Sequence, residues 1–231
     1  MNNSALRQPQ WRQLVGAFLS PRLGGTIEAW GEANFRTFPL VYQRQQARLE
    51  NWRPERVYLA ELRLTDIDWL ASMCLEMGIA TPPDDDCATL SRDTQNWIMS
   101  QVVAGFPGVA DAIRELSGDY ILYTASGGTS FELRMYLGTL GIEESVFRRL
   151  YGADLVNWPK LGPEFHRRIL QDAGVDPAEC IVADDQAQVI AWAREAGVFT
   201  VLVGQGRALE SEADLIVGSL AELPAALRAL G

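Results

Sequence analysis

Basic residues other than arginine are almost missing from this chain. It holds one lysine, Lys160, and one histidine, His166, beside nineteen arginines. A single imidazole excludes a His-rich metal site, and any Ser-His or Cys-His catalytic pair would have to use His166. That histidine falls early in an expected helix and reads as a surface or helix-end residue. The three cysteines, Cys74, Cys87 and Cys180, are an odd number with no C-x-x-C spacing. That pattern fits reduced, mostly buried thiols and a cytoplasmic location. No apolar run approaches the roughly 18 residues of a membrane span, and the polar first ten residues read as no signal peptide. Low-complexity tracts and internal repeats are absent. Aspartate is missing from the first 65 residues. Positive charge is in deficit, with a net charge of −10, which argues against nucleic acid and anionic membranes as partners.

What remains is an ordinary globular composition, 48% apolar and 22% charged over 231 residues. The second half alternates strand and helix signals. Buried strands are expected at "YILYT" (120–124), "ADLV" (153–156), "CIVA" (180–183), "FTVLV" (199–203) and "ADLIV" (213–217). Helices are expected from 130, over 163–174 between Pro163 and Gly174, after Gln186, and at the C-terminus. Such alternation implies βαβ units and a parallel sheet. Residues 28–105 carry mainly helix signals, including 64–78 with Thr65 as N-cap and a second helix over 91–104. The expected organisation is an α/β core of residues 1–27 and 106–231, with a helical cap at 28–105.

Ligands of parallel α/β sheets bind beyond the carboxyl ends of the strands. Thr124, Ala125 and Ser126 follow the first of these strands, Lys160 follows the next, and Asp184 with Asp185 follows the third. A hydroxyl, backbone N–H groups and an ammonium suit a phosphate-like ligand, and paired carboxylates suit Mg²⁺. Taken singly, Thr124, Asp184 and Asp185 could each be helix caps, and Lys160 a solvated loop charge.

From Phe106 onward the chain resembles the haloacid dehalogenase (HAD) superfamily of phosphatases and dehalogenases with a helical cap. "YILYTASG" is similar to the second motif, with Thr124 in its hydroxyl position. "LVNWPKLGPEF" resembles the third, with Lys160, Pro163 and Phe165. "IVADDQAQVIAWAREAG" resembles the fourth, with Asp184 in the magnesium-binding place. The resemblance implies a Rossmann-like sheet, an inserted helical cap and hydrolase-like chemistry.

It also implies a first motif, a strand followed by Asp-x-Asp-Gly-Thr, whose first Asp attacks phosphorus and whose second is the acid/base. The matching stretch is Arg22-Leu23-Gly24-Gly25-Thr26-Ile27 after the apolar run "LVGAFL". Arg22 stands in the nucleophile position and Gly24 in the acid/base position. The fourth motif departs as well, with Ala183 before its Asp and Gln188 four residues after it. A true Asp-x-Asp occurs at Asp66 and Asp68, but Trp69-Leu70 follow it and it opens a helix, so capping is its reading. A guanidinium stays protonated and cannot attack. Arg22 is therefore expected to replace the metal and pair with Asp184 or Asp185. Gly25, Thr26, Thr124, Ala125, Ser126 and Lys160 would still hold a phosphoryl group. The implied protein is non-catalytic and cofactor-free, binding a phosphorylated small molecule or a protein partner. The alternative is an active phosphomonoesterase with a non-standard nucleophile and Mg²⁺.

Overall fold

Residues 11, 14, 15, 18, 19 and 23 carry Trp, Leu, Val, Phe, Leu and Leu. That spacing is helical, and it decides the conformation of the N-terminal segment. In the computed structural model, which describes residues 3–204 and 212–230, "LVGAFL" lies inside helix α1 (Ser4–Leu23), with Val15, Phe18 and Leu19 buried. Asn3 caps it, its Oδ1 accepting from the Ala5 N–H at 3.1 Å. The strand expected here does not form. A six-residue apolar run resembles a buried strand, but its continuation to Trp11 and Leu23 follows the 3.6-residue period instead.

Helix α2 (Ile27–Leu49) follows after a turn of Gly24, Gly25 and Thr26. Helices α3 (Tyr58–Glu76) and α4 (Asp84–Met99) complete the group. Their apolar faces share one core containing Val15, Leu19, Trp30, Leu70, Met73 and Ile98. Helix α3 begins before the expected Thr65 cap, and Thr65 instead bonds back to the Glu61 carbonyl at 3.2 Å. Helix α4 starts at Asp84, ahead of the expected 91, where three aspartates complement the helix N-terminus.

The chain divides into two compact units. Among the described residues, those up to 105 and 134–140 form the helical one, and those over 106–133 and from 141 onward the α/β one. The described part of the 1–27 segment, which the sequence assigned to the α/β core, thus clusters with the helices, because α1 packs along α2.

The α/β unit contains α5 (Val109–Asp119), β1 (Leu122–Tyr123), the start of α6 (Ser130–Thr139), β2 (Phe147–Arg149) and α7 (Pro163–Ala173). Then follow β3 (Ile181–Asp184), α8 (Ala187–Glu195), β4 (Phe199–Val203), β5 (Leu215–Val217) and α9 (Leu223–Arg228). All pairings are parallel, but in two separate sheets, β1-β2 and β3-β4-β5. The strand expected at 153–156 is a turn, and β2 lies upstream of it. Two contacts account for this. The Asp154 carboxylate accepts from the Ser130 N–H and hydroxyl, each at 2.7 Å, and the Ala153 N–H bonds the Gly128 carbonyl at 2.9 Å.

Candidate functional site at the strand ends

The turn at residues 24–26 is a helix–helix connection. Gly24 ends α1 at φ 80° and ψ −171°, a conformation almost confined to glycine. The Thr26 Oγ1 accepts from the Ala29 N–H at 3.1 Å and so caps α2. The Gly24 carbonyl accepts from the Trp30 indole at 2.7 Å. Arg22 folds back on its own helix. Its guanidinium donates to the Phe18 carbonyl at 2.6 Å and lies 3.7 Å from the centroid of the Phe18 ring. These contacts correct the sequence expectation: Arg22 is engaged with Phe18, and the carboxylate of Asp184 has a different cation.

That cation is Lys160. Its Nζ donates to the Asp184 Oδ2 at 2.7 Å and to the Ala125 carbonyl at 2.7 Å. Both side chains are largely buried. The other oxygen of Asp184, Oδ1, accepts from the Gln186 N–H at 2.9 Å, just ahead of α8. The single lysine therefore joins the end of β1 to the end of β3. Asp185, next in the chain, is exposed.

The hydroxyls nearby are engaged locally. Thr124 is buried and donates to the Tyr151 carbonyl at 3.0 Å. Ser126 Oγ accepts from the Gly128 N–H at 3.1 Å. The cap of α6 is Thr129, not Thr124. Thr129 Oγ1 accepts from the Glu132 N–H at 3.1 Å while Glu132 Oε2 accepts from the Thr129 N–H at 2.8 Å, a reciprocal capping box.

His166 was misplaced by sequence reasoning. It is only 2% exposed, and neither ring nitrogen has a hydrogen-bond partner among the described residues. Burial pushes its pKa down to about 4, the Lys160 charge pushes the same way, and Asp184 opposes both. The signal was available: Phe165, His166, Ile169 and Leu170 form one buried stripe of α7. Asp154, which fixes the start of α6, was also missed.

The Asp66-x-Asp68 pair is structural, though not as a cap. Asp66 is buried and accepts from Gln95 Nε2 at 2.8 Å and Arg92 Nη2 at 2.5 Å. Asp68 takes a bidentate grip from Arg44 at 2.7 and 2.8 Å.

The residues at the strand ends do not fit Mg²⁺ as they stand. Each oxygen of Asp184 already accepts a hydrogen bond, and the described residues contain no group of three His, Cys, Asp or Glu that would complete a metal site. Mg²⁺ demands near-octahedral oxygen coordination. Nor is any described helix long and apolar enough to cross a membrane.

The Lys160 ammonium and the Asp184 carboxylate thus meet beyond the ends of two parallel strands of an α/β unit, beside the buried Thr124. Residues 38–203 match the haloacid dehalogenase-like hydrolase family, and the chain belongs to that family. The match includes Thr124, Lys160 and Asp184 and begins downstream of Arg22 and Gly24. The chain is 27% identical over 164 residues to the "Probable phosphatase IndB" of Dickeya dadantii (strain 3937), covering 66% of this chain and 71% of that one. It is similar in fold to a 2-haloacid dehalogenase from Pseudomonas syringae pv. Tomato DC3000, with a TM-score of 0.66 and 18% identity over 100% of this chain and 95% of that one. A putative beta-phosphoglucomutase from Thermotoga maritima gives a TM-score of 0.57 and 21% identity, covering 84% of this chain and 94% of that one.

Proposed function

We propose that this family member binds a phosphorylated small molecule at the mouth formed by Thr124, Ala125, Ser126, Lys160 and Asp184, without Asp-based phosphoryl transfer from residues 22–24. The observation that carries this reading is the Lys160 ammonium, held at the strand ends by Ala125 and Asp184. An anion reaching it would exchange one charge-assisted hydrogen bond for another. The non-catalytic half rests on the N-terminal turn. Arg22 cannot act as a nucleophile, and it sits on a helix instead of at a strand end.

Phosphate titration by calorimetry, with a thermal-shift readout, tests the binding. Native protein is expected to bind inorganic phosphate, and Lys160→Met to weaken binding tenfold or more. Equal binding by the two would refute the site. A second reading, an active phosphomonoesterase, draws on Asp184, a carboxylate at a strand end beside a cation. Turnover of p-nitrophenyl phosphate by native protein with Mg²⁺, abolished in Asp184→Asn, would establish that reading and overturn the non-catalytic one.

A further inference from the structure

The Lys160–Asp184 pair is neutral as a whole, so an anion arriving there needs positive charge from elsewhere. Lys160 still has a donor to give. An ammonium carries three N–H groups, and two are used, on the Ala125 carbonyl and the Asp184 carboxylate. Three residues further on, α7 opens at Pro163 with no side-chain cap. Pro163 has no N–H, and the N–H groups of Glu164 and Phe165 donate to no described residue. The carboxylate of that turn faces the other way, since Glu164 Oε1 accepts from Arg168 Nε at 3.0 Å, one turn along the helix. Free N–H groups and the dipole of an open helix start favour an anion.

A second feature of the same turn points to a ligand. His166 is the fourth residue of α7. Helical side chains lean toward the N-terminus of their helix, so its ring lies over the first turn. It is 2% exposed, and neither nitrogen has a partner among the described residues. Interior polar groups are nearly always hydrogen-bonded, and a leucine would continue the apolar stripe without that cost. The Lys160 and Asp184 charges both act on the imidazole, which puts it beside the pair. Other charged side chains nearby are engaged or exposed. On α7, Glu164 holds Arg168, and Arg167 donates to the Glu195 carbonyl. On α8, Arg194 pairs with Glu212, and Glu195 is exposed. Asp185, after β3, is exposed.

We propose, on the reading that the mouth at Lys160 binds a phosphorylated molecule, that the first turn of α7 seats its doubly charged end, a phosphate monoester, between Lys160 and His166. The third N–H of Lys160 and the N–H groups of Glu164 and Phe165 donate to the anion's oxygens. The nitrogens of His166 are too buried to be touched by it. The imidazole answers the added negative charge by taking up a proton, which burial and the Lys160 charge deny it in the free protein. Binding a dianion and protonating His166 then favour each other by the same factor. The single charge of a diester or a carboxylate drives this less.

Sulfate is the probe, because it stays doubly charged from pH 7 to pH 5.5. His166 is the only histidine of the chain, so one imidazole signal in the NMR spectrum of native protein reports its charge. At pH 5.5 that signal is expected to be that of a neutral ring without sulfate and of an imidazolium at saturation. The amide protons of Glu164 and Phe165 are expected to move downfield in the same titration. By calorimetry, native protein should bind sulfate about fivefold or more tightly at pH 5.5 than at pH 7, and His166→Leu equally at both. Methyl sulfate, with one charge, should bind more weakly and leave the ring neutral. A ring still neutral at saturating sulfate, or amide movement confined to residues 124–126, overturns the proposal and leaves an anion site standing. Equal binding of methyl sulfate overturns the choice of a doubly charged ligand. Absence of sulfate binding, or binding unchanged in Lys160→Met, overturns the mouth itself and the proposal with it.

Discussion

His166 is neutral and buried in the folded state, with a pKa of about 4 against 6.5 for an unperturbed imidazole. As pH falls below about 6.5, the unfolded chain takes up a proton that the folded chain refuses. Stability contributed by His166 is therefore complete above that pH, is lost between about 6.5 and 4, and changes no further below. The loss is about 3 kcal/mol. Urea unfolding at pH 7 and pH 5 should show a steeper decline for native protein than for His166→Leu. At pH 7 the variant should be as stable or more so, because it removes two unpartnered nitrogens from the interior. Lys160 behaves oppositely. Lys160→Met leaves Asp184 as a largely buried charge without its cation and should cost about 3 kcal/mol, much of it recovered in Lys160→Met/Asp184→Leu. A double-mutant cycle of urea midpoints measures the difference.

At the level of elements, strands β3, β4 and β5 and helices α6 to α9 were legible because each obeys one period and is bounded by Gly, Pro or an acid. Thr124 and Asp184 lie at ends of elements marked in the same way, whereas Lys160 follows an expected strand that is a turn and stands out in the sequence only as the single lysine. Two segments were not legible. Residues 153–156 have a strand's composition, but Asp154 is drawn into capping α6, a contact that no local pattern signals. The run "LVGAFL" has the length of a strand, and only Trp11 and Leu23, outside it, reveal the helix. Gly16 is part of that helix for a tertiary reason. A Cβ there would lie 2.1 Å from the Ile27 carbonyl oxygen, and one at Gly31 would lie 2.5 Å from that of Arg12. Both contacts are with backbone at the α1–α2 crossing, which cannot yield as a side chain would. Gly16→Ala and Gly31→Ala should each destabilise by about 2–3 kcal/mol. Gly138→Ala, in α6 with nothing within 4 Å, should be neutral or stabilising by up to about 1 kcal/mol. Thermal melts of the three variants decide the matter.

For the whole molecule, the decisive fact is which unit the N-terminal turn belongs to. A resemblance in sequence between Gly24-Gly25-Thr26 and a catalytic loop treats the turn as the end of a strand. The fold makes it the link between two helices of the helical unit, and the same residues acquire different duties. Gly24 supplies a positive φ, Thr26 caps α2, and Arg22 adds a cation to the last turn of α1. The double substitution Arg22→Asp/Gly24→Asp distinguishes the two views. Were the turn a decayed catalytic loop, restoring both carboxylates would restore hydrolysis of p-nitrophenyl phosphate with Mg²⁺. As a helix–helix link, it should gain no turnover, because an aspartate on a helical turn is not presented by a parallel strand to a ligand at its end. It should also lose stability. The aspartate replacing Gly24 would be forced into a glycine conformation, and the one replacing Arg22 would oppose the helix dipole. The sum is about 2–3 kcal/mol. Turnover appearing in the double variant, with its urea midpoint unchanged, would return residues 22–26 to the active site.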